Sequence, residues 1–290
     1  MLGKAFAIAV AAAVLSQWYT AWQFDLGELL RGKRVLVTGS SAGIGREIAL
    51  LYCSRGAQVV LTSRSPAALE SAAAACEALH PEARAYAIVS DLSTEAGCRE
   101  LVEQGVQRLG GGLDVLVLNH VQGMYQRWQD VEGRLGLLRR LFTVNTFGYI
   151  YTAEFALPEL RKAAGSLIVV SSLAGRMGLP KVAPYSASKH ALHGFFNSLR
   201  HDLESAGAGV AITTAVLGNI DTAQARKSTG AELDILHWHS PTDAAHAIVE
   251  AGAKRAREVL YPFAQLRFTT WLDALLPSAA HAMIRAAIPT

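Results

Sequence analysis

The sequence has 290 residues, of which 51% are hydrophobic and 18% charged, and its formal net charge is +3. A chain with this much hydrophobic content can bury enough surface to offset its conformational entropy, which excludes intrinsic disorder. Its small net charge gives no electrostatic attraction to nucleic acid. The three cysteines form no Cys-x-x-Cys pair, which excludes a disulfide framework and a zinc ribbon. We expect Cys53, Cys76 and Cys98 to be small core side chains.

An apolar segment opens the chain. Residues 5–15 are all apolar, and the run continues to Trp22 with three polar interruptions. As a helix, residues 5–22 would span about 27 Å, close to the hydrocarbon core of a bilayer. Lys4 precedes the run and aromatic residues close it, as at a membrane interface. We expect residues 1–24 to be an uncleaved membrane anchor; a cleaved signal peptide and a helix packed on the protein are the alternatives.

After Gly32, short apolar runs alternate with helical stretches. Apolar runs without strict polar alternation, separated by helices, indicate a parallel sheet that is covered on both faces. Residues 25–262 are therefore predicted to form a single doubly wound, Rossmann-type α/β domain. The predicted strands are 34–38, 58–62, 86–90, 114–118, 167–171, 210–217 and 259–261, and the first two predicted helices are 44–55 and 66–79.

A glycine-rich turn follows the first predicted strand. Gly39 permits a tight turn, Gly43 lets the backbone approach a pyrophosphate, and Gly45 lets the next helix pack closely on the strand. The amides at the start of that helix then face negative charge. The pattern predicts a dinucleotide site; a tight turn without a ligand is the alternative.

The end of the second strand selects between cofactors. A site selective for NAD carries an acidic residue there, whereas residues 61–65 contain none. Arg64 is instead in position to meet a 2′-phosphate, which predicts NADP(H). The alternative is that Arg64 is a solvated residue at a helix start.

The order and spacing of further residues resemble the short-chain dehydrogenase/reductase family over residues 32–262. The most specific element is a Tyr-x-x-x-Lys pair, Tyr185 and Lys189, with Ser172 upstream. Segments 117–121, 169–175, 185–196 and 216–222, with the amino-terminal apolar run, are most similar to the 11β-hydroxysteroid dehydrogenase type 1 group. The resemblance implies NADP(H), a homodimer, a single pass through the endoplasmic-reticulum membrane with a lumenal domain, and hydrophobic ketone or alcohol substrates.

Three departures from the family pattern bear on the site. Residues 117–121 replace the usual Asn-Asn-Ala-Gly motif, of which only Asn119 remains. Ala42 replaces the usual basic residue before the second glycine, which removes one expected phosphate contact. The loop 176–184 is less similar to the steroid enzymes than the motifs around it, so the substrate stays open.

The predicted catalytic residues are Asn145, Ser172, Tyr185 and Lys189. Tyr185 and Lys189 are four residues apart and so project from one helix face. A nearby ammonium would lower the pKa of the phenol, so that Tyr185 can protonate a carbonyl oxygen or take the proton back. Ser172 would hydrogen-bond the same substrate oxygen and stabilise an oxyanion, which makes Ser172 and Tyr185 the expected substrate contacts. By the resemblance, Asn145 would support a water that relays protons to Lys189.

By matched position in the family, residues 91–92 would flank the adenine, and Asn119 would lie along the adenine ribose. Gly218 and Ile220 would cover the nicotinamide, and Thr222 would bond its amide or, alternatively, cap a helix. The predicted cofactor contacts in full are Gly39, Ser41, Gly43, Ile44, Gly45, Arg64, Asp91, Leu92, Asn119, Tyr185, Lys189, Gly218, Ile220 and Thr222.

Other candidate sites are weaker. His190 and His193 lack a nearby carboxylate in the sequence, so no metal site is predicted. His237 and His239 lie in a polar stretch, predicted as a surface loop near the substrate entrance.

The carboxyl-terminal residues 263–290 are predicted to form a helical extension. Apolar residues recur at helical spacing from Phe268 to Leu276, and Pro277 follows them, which describes an amphipathic helix. Its apolar face would pack on the core of the chain or contact a dimer partner or a membrane surface.

The leading hypothesis is a membrane-anchored NADP(H)-dependent oxidoreductase that interconverts a ketone and a secondary alcohol on a steroid or similar lipid. A second hypothesis keeps this chemistry and changes the substrate to retinoid, sphingoid or xenobiotic carbonyls. A third is a catalytically silent dinucleotide-binding partner protein, which has no need of Ser172, Tyr185 and Lys189 together.

Overall fold

The computed structural model describes residues 26–229 and 237–288. The predicted anchor, residues 1–24, lies outside the described residues. Among the helices that are described, none is both long enough and apolar enough to cross a membrane.

Within the described ranges, seven parallel strands form one sheet in the order β3-β2-β1-β4-β5-β6-β7. The chain runs outward from β1 to β3, returns to the centre, and continues in the opposite direction from β4. The strand order therefore reverses between β1 and β4, and in such sheets ligands bind beyond the carboxyl ends of the strands at this point. The strands are β1 (Arg34–Thr38), β2 (Gln58–Ser63), β3 (Arg84–Val89), β4 (Val115–Leu118), β5 (Ser166–Ser172), β6 (Ala211–Leu217) and β7 (Glu258–Tyr261).

Helices cover both faces of the sheet, and each face has its own apolar core. Central strands such as β4 are buried at every position, because neither face meets water. The helices are α1 (Leu26–Leu30), α2 (Gly43–Cys53), α3 (Pro66–Glu77), α4 (Glu95–Arg108), α5 (Arg134–Phe142), α6 (Gly148–Lys162), α7 (Ala183–Ser205), α8 (Ala223–Thr229), α9 (Pro241–Ala253), α10 (Phe263–Leu275) and α11 (Pro277–Ala287). Helices α2, α3 and α9 pack on one face, and α4, α6 and α7 on the other.

The predicted elements agree closely with the structure. The seven predicted strands and the first two predicted helices all occur, with each end within two residues of its predicted position. Cys53, Cys76 and Cys98 are buried thiols, as expected. A doubly wound parallel sheet is thus confirmed.

Among the described residues, the carboxyl-terminal extension consists of two helices, one more than the predicted amphipathic helix that ends at Pro277. The second helix, α11, begins at Pro277, and its Ile284 is buried in one cluster with Met177. The predicted apolar face of α10 is largely exposed in the chain, with Trp271 at 61% and Leu275 at 77% of full exposure. Packing on the protein's own core therefore does not account for this face.

Candidate active site

The glycine turn between β1 and α2 has the geometry of a dinucleotide cradle. Gly39 and Gly43 have positive φ angles of 64° and 57°, which favour glycine. A Cβ on Gly39 would lie 2.7 Å from the Cα of His120, and a Cβ on Gly45 would overlap the carbonyl oxygen of Gly39. The turn therefore holds its backbone closer to β4 than a side chain would allow, and the residues present fit a bound dinucleotide.

Asn119 braces this turn from the end of β4. Its side-chain Nδ2 donates to the carbonyl oxygens of Thr38 and Gly39, each at 3.1 Å. Its backbone N–H donates to Thr38 Oγ1 at 2.8 Å. The amide expected along the adenine ribose thus also fixes the backbone of the turn.

A cleft with a volume of about 450 Å³ runs from this turn along the carboxyl ends of β1 to β4. Arg64 is exposed at its rim beside Ser63 and Ser65. Asp91 lines the cleft at the end of β3, where its Oδ1 accepts a hydrogen bond from the Ser93 N–H at 3.0 Å. The predicted cofactor residues that line this cleft are Gly39, Ser41, Gly43, Ile44, Arg64, Asp91, Leu92, Asn119 and Thr222.

Ser172 and Tyr185 meet where β5 ends and α7 begins. Ser172 Oγ accepts a hydrogen bond from the Ala174 N–H at 3.2 Å and is hydrogen-bonded to the Tyr185 hydroxyl. The Ser186 hydroxyl donates to the carbonyl of Ala174 at 2.5 Å, which ties the start of α7 to the turn after β5. These bonds hold both predicted substrate-binding hydroxyls on one wall of a cavity.

The protonation of Tyr185 differs from the expectation. Burial raises its pKa, and the hydrogen bond with Ser172 opposes that rise. Lys189 was expected to lower this pKa, but its Nζ lies 5.9 Å from the centre of the Tyr185 ring. Nζ instead donates to the Val170 carbonyl at 3.0 Å and to Tyr149 Oη at 3.3 Å. Burial lowers the pKa of Lys189 to about 7.

Asn145 lies in a π-helical turn, Thr143–Phe147, between α5 and α6. Its Oδ1 accepts from the Gln122 N–H at 2.8 Å, and its Nδ2 donates to the Gln122 carbonyl at 2.9 Å and to Ser188 Oγ at 3.3 Å. Its side chain therefore joins the loop after β4 to α7. The water relay to Lys189 stays a prediction.

Two buried aromatic residues, His120 and Tyr149, pack on each other beside these groups, and the sequence patterns assigned neither a role. His120 forms hydrogen bonds through Nδ1 with Thr38 Oγ1 at 2.9 Å and through Nε2 with the Val144 carbonyl at 3.1 Å. Its ring lies 4.5 Å from that of Tyr149, centre to centre. Burial lowers the pKa of His120 to about 3, so the imidazole is neutral. The four-residue spacing of Asn145 and Tyr149 on one helix is the signal that could have identified Tyr149.

A second cavity, of about 270 Å³, is lined by Ser172, Tyr185 and Lys189 and shares Asn119 and Thr222 with the cleft. Its other walls are mostly apolar, and the loop 176–184 borders it as expected. Trp238, from the predicted surface loop, lines this cavity, while His237 is exposed. The apolar lining comprises Val121, Met124, Leu179, Val182, Leu217, Trp238 and Ile288.

The remaining predicted residues follow β6. Gly218, Ile220 and Thr222 all line this second cavity, and Thr222 borders both cavities. Thr222 Oγ1 accepts a hydrogen bond from the Ala225 N–H at 3.2 Å, so the predicted helix cap occurs. Its hydroxyl hydrogen is not used in that bond and can serve a ligand.

Comparison with known proteins agrees with this geometry. The chain matches the family described as short chain dehydrogenase over residues 33–233. It is 42% identical to a hydroxysteroid 11-beta-dehydrogenase 1-like protein of Gallus gallus, over 90% of this chain and 89% of that protein. The protein of the same description from Danio rerio is 36% identical, over 94% of this chain and 93% of that protein. These findings confirm the resemblance predicted from the sequence.

Solved structures share the fold. A putative short-chain alcohol dehydrogenase from Sinorhizobium meliloti 1021 is 26% identical with a TM-score of 0.69, over 79% of this chain and 94% of that one. An alcohol dehydrogenase from Thermococcus sibiricus, complexed with 5-hydroxy-NADP, is 22% identical with a TM-score of 0.68, over 79% of this chain and 95% of that one.

Proposed function

The chain belongs to the short-chain dehydrogenase/reductase family, and from that premise we propose that it interconverts a ketone and a secondary alcohol on a steroid or similar hydrophobic lipid, with NADP(H). The observation that carries the proposal is the position of Ser172, Tyr185 and Lys189 on the wall of an apolar cavity that shares Asn119 and Thr222 with a dinucleotide-shaped cleft.

The proton chemistry follows from the hydroxyl pair. A bound nicotinamide supplies or accepts the hydride. In the reducing direction, Tyr185 Oη gives its proton to the carbonyl oxygen of the substrate. Ser172 Oγ donates a hydrogen bond to the same oxygen as negative charge develops there. Burial keeps Tyr185 protonated at neutral pH, and its proton can therefore be delivered when the oxygen gains charge.

NADP(H) is favoured over NAD(H) by the charge at the rim of the cleft. Arg64 is exposed there and available to a 2′-phosphate. Asp91, the acidic residue that borders the cleft, follows β3 and not β2. An arginine fork binds phosphate through two charge-assisted hydrogen bonds, which a ribose hydroxyl does not reproduce.

A hydrophobic substrate is supported by the apolar walls of the 270 Å³ cavity and by the hydroxysteroid names of the relatives. Retinoid, sphingoid and xenobiotic carbonyls fit the same description and form the second candidate class.

Membrane association and dimerisation extend the proposal. We propose that residues 1–24 anchor the chain in the endoplasmic-reticulum membrane with the domain in the lumen, and that the chain forms a homodimer. The exposed aromatic and aliphatic side chains of α10, including Phe268 and Trp271, support contact with lipid or with a second apolar surface.

The test is NADPH oxidation by the full chain in detergent, with keto steroids, retinal, 3-ketosphinganine and aromatic ketones. Tyr185→Phe is the control, because it removes the proton donor and leaves the ring. Turnover confined to keto steroids and lost in the variant is the expected result. Turnover on other carbonyls would discard the steroid assignment, and tight NADPH binding without turnover would favour the silent partner protein.

A further inference from the structure

Lys189 is a buried cation held by neutral groups. Its side chain is 2% exposed, and among the described residues no carboxylate forms an ion pair with it. An ammonium in such a place needs other acceptors, because burial penalises the charged form. The Val170 carbonyl at 3.0 Å and Tyr149 Oη at 3.3 Å provide them.

Tyr149 contacts Lys189 in two ways. Nζ lies 4.8 Å from the centre of the Tyr149 ring, within the range of a cation–π contact. The hydroxyl of Tyr149 donates to the Val170 carbonyl at 3.3 Å while its oxygen accepts from Nζ. Lysine, tyrosine and carbonyl thus form a closed triangle that leaves one Nζ–H free for the cavity, which Lys189 lines.

Tyr149 is itself held in place by the uncharged imidazole of His120. Its side chain is fully buried, and the His120 ring packs on it. A carbonyl can only accept, so His120 Nε2 carries the proton that it donates to Val144. His120 Nδ1 lies 2.9 Å from Thr38 Oγ1, which itself donates to the Val117 carbonyl. This support through His120 therefore reaches from the cofactor turn to the lysine.

The charges around Lys189 can be enumerated. Tyr185 faces it from its own helix, His120 from the loop after β4, and His193 from one turn further along α7. Burial lowers the pKa of both histidines to about 3, so neither is charged at neutral pH. The field at Lys189 is consequently set by dipoles, and the Tyr149 hydroxyl is the side-chain group that accepts a hydrogen bond from its Nζ.

We propose that Tyr149 is a positioning residue for Lys189: its ring and hydroxyl hold the ammonium in its charged form and aim the remaining N–H at the cavity beside Tyr185. The proposal rests on the proposed function, since it assigns Lys189 a task in that chemistry. It gives Tyr149 no contact with the substrate.

The burial of Lys189 also supports a positioning role for Tyr149. It has already lowered the pKa of Lys189 to about 7, so the loss of one acceptor would leave the amine neutral at physiological pH. Phenylalanine keeps the ring and removes only the acceptor. Tyr149→Phe therefore separates the hydroxyl from the packing.

The experiment compares Tyr149→Phe with Tyr52→Phe in the full chain. Tyr52 is a matched control because it is 1% exposed but lies on α2, in the core on the other face of the sheet. The protonation of Lys189 is measured without cofactor, from the pH dependence of its carbamylation by cyanate, quantified by mass spectrometry. We expect the midpoint to fall by about one pH unit in Tyr149→Phe and to stay unchanged in Tyr52→Phe.

Kinetics provide the second readout. Tyr149→Phe removes a hydrogen bond to the charged Lys189 ammonium. We therefore expect kcat to fall about tenfold and the alkaline limb of the pH–rate profile to move to lower pH, with KM values within twofold of wild type. An unchanged carbamylation midpoint would overturn the proposal, as would the same shift in Tyr52→Phe. If Tyr149→Phe does not fold, His120→Ala removes the ring behind Tyr149, and the midpoint must fall there also.

The two proposals fail in different ways. If the wild-type protein reduces no ketone while its carbamylation midpoint still depends on Tyr149, the proposed function is wrong and the positioning of Lys189 stands. If turnover depends on Tyr185 but Tyr149→Phe changes neither the carbamylation midpoint nor kcat, the positioning proposal is wrong and the proposed function stands.

Discussion

Gly45→Ala tests whether close packing at the start of α2 creates the cofactor site. A methyl group there would meet the Gly39 carbonyl oxygen and carbon and lie next to Asn119 Nδ2. The first two belong to the turn backbone, which cannot rotate away as a side chain can. Asn119 Nδ2 also holds the turn through two 3.1 Å bonds, so the added methyl group displaces the brace as well.

The magnitude follows from two opposing terms. Alanine favours a helix interior over glycine by about 1 kcal/mol, and overpacking costs about 1 to 3 kcal/mol. The helix term acts in the free and the bound protein alike, whereas the displaced turn loses its fit to the pyrophosphate. We therefore expect the Kd for NADPH to rise about 5- to 150-fold, since about 1.4 kcal/mol corresponds to a factor of ten.

The assay is a fluorescence titration with NADPH, with Gly194→Ala as the matched control. Gly194 lies inside α7, is exposed, and has nothing within 4 Å of an added Cβ. Gly194→Ala should raise the free energy of unfolding by roughly 0.5–1 kcal/mol and leave the Kd alone. Wild-type affinity in Gly45→Ala, or equal weakening in both variants, would refute the packing argument.

Three further predictions concern the cofactor, the stability and the substrate. Arg64→Ala should raise the Kd for NADPH about tenfold and that for NADH little, measured in parallel titrations; an equal effect on both would show that Arg64 does not read the 2′-phosphate. Burial raises the pKa of Asp114, but hydrogen bonds from Arg34 outweigh it and leave the pKa lowered. The pair therefore stabilises the fold above the unfolded pKa of the carboxyl, and this stability disappears as pH falls through the folded value. Urea midpoints for Asp114→Asn should accordingly fall below wild type at pH 7 and converge with it as pH falls below the lowered pKa of Asp114, and parallel curves would contradict this. Trp238→Ala should raise KM for a hydrophobic ketone about tenfold without changing the Kd for NADPH; an unchanged KM would remove Trp238 from the substrate wall.

The sequence was most informative where structure depends on neighbours along the chain. The strands, the glycine turn and the order of the Ser172, Tyr185 and Lys189 motifs are local patterns, and the strands occur where they were predicted. The pKa of Tyr185 depends on burial and on the atoms around Lys189, which come from three separate elements. No spacing in the sequence predicted that Lys189 would donate to Tyr149.

The carboxyl-terminal extension shows a similar limit. Helical periodicity identified an apolar face on α10, but periodicity does not say what covers that face. The same pattern did not extend to α11, because Pro277 was interpreted as an end although proline is also favoured in a first helical turn.

The π-helical turn at Thr143–Phe147 makes the number of residues in this segment part of the site. Such a turn holds one residue more than an α-helical turn. Because the extra residue is taken up within the turn, the helices on either side keep their relative orientation, and deleting it would leave them in register while removing the widened turn. Asn145 lies inside that turn and Tyr149 beyond it, so the deletion would move Asn145 against Gln122 and spare the contact of Tyr149 with Lys189. A single-residue deletion would therefore test the role of Asn145 apart from that of Tyr149.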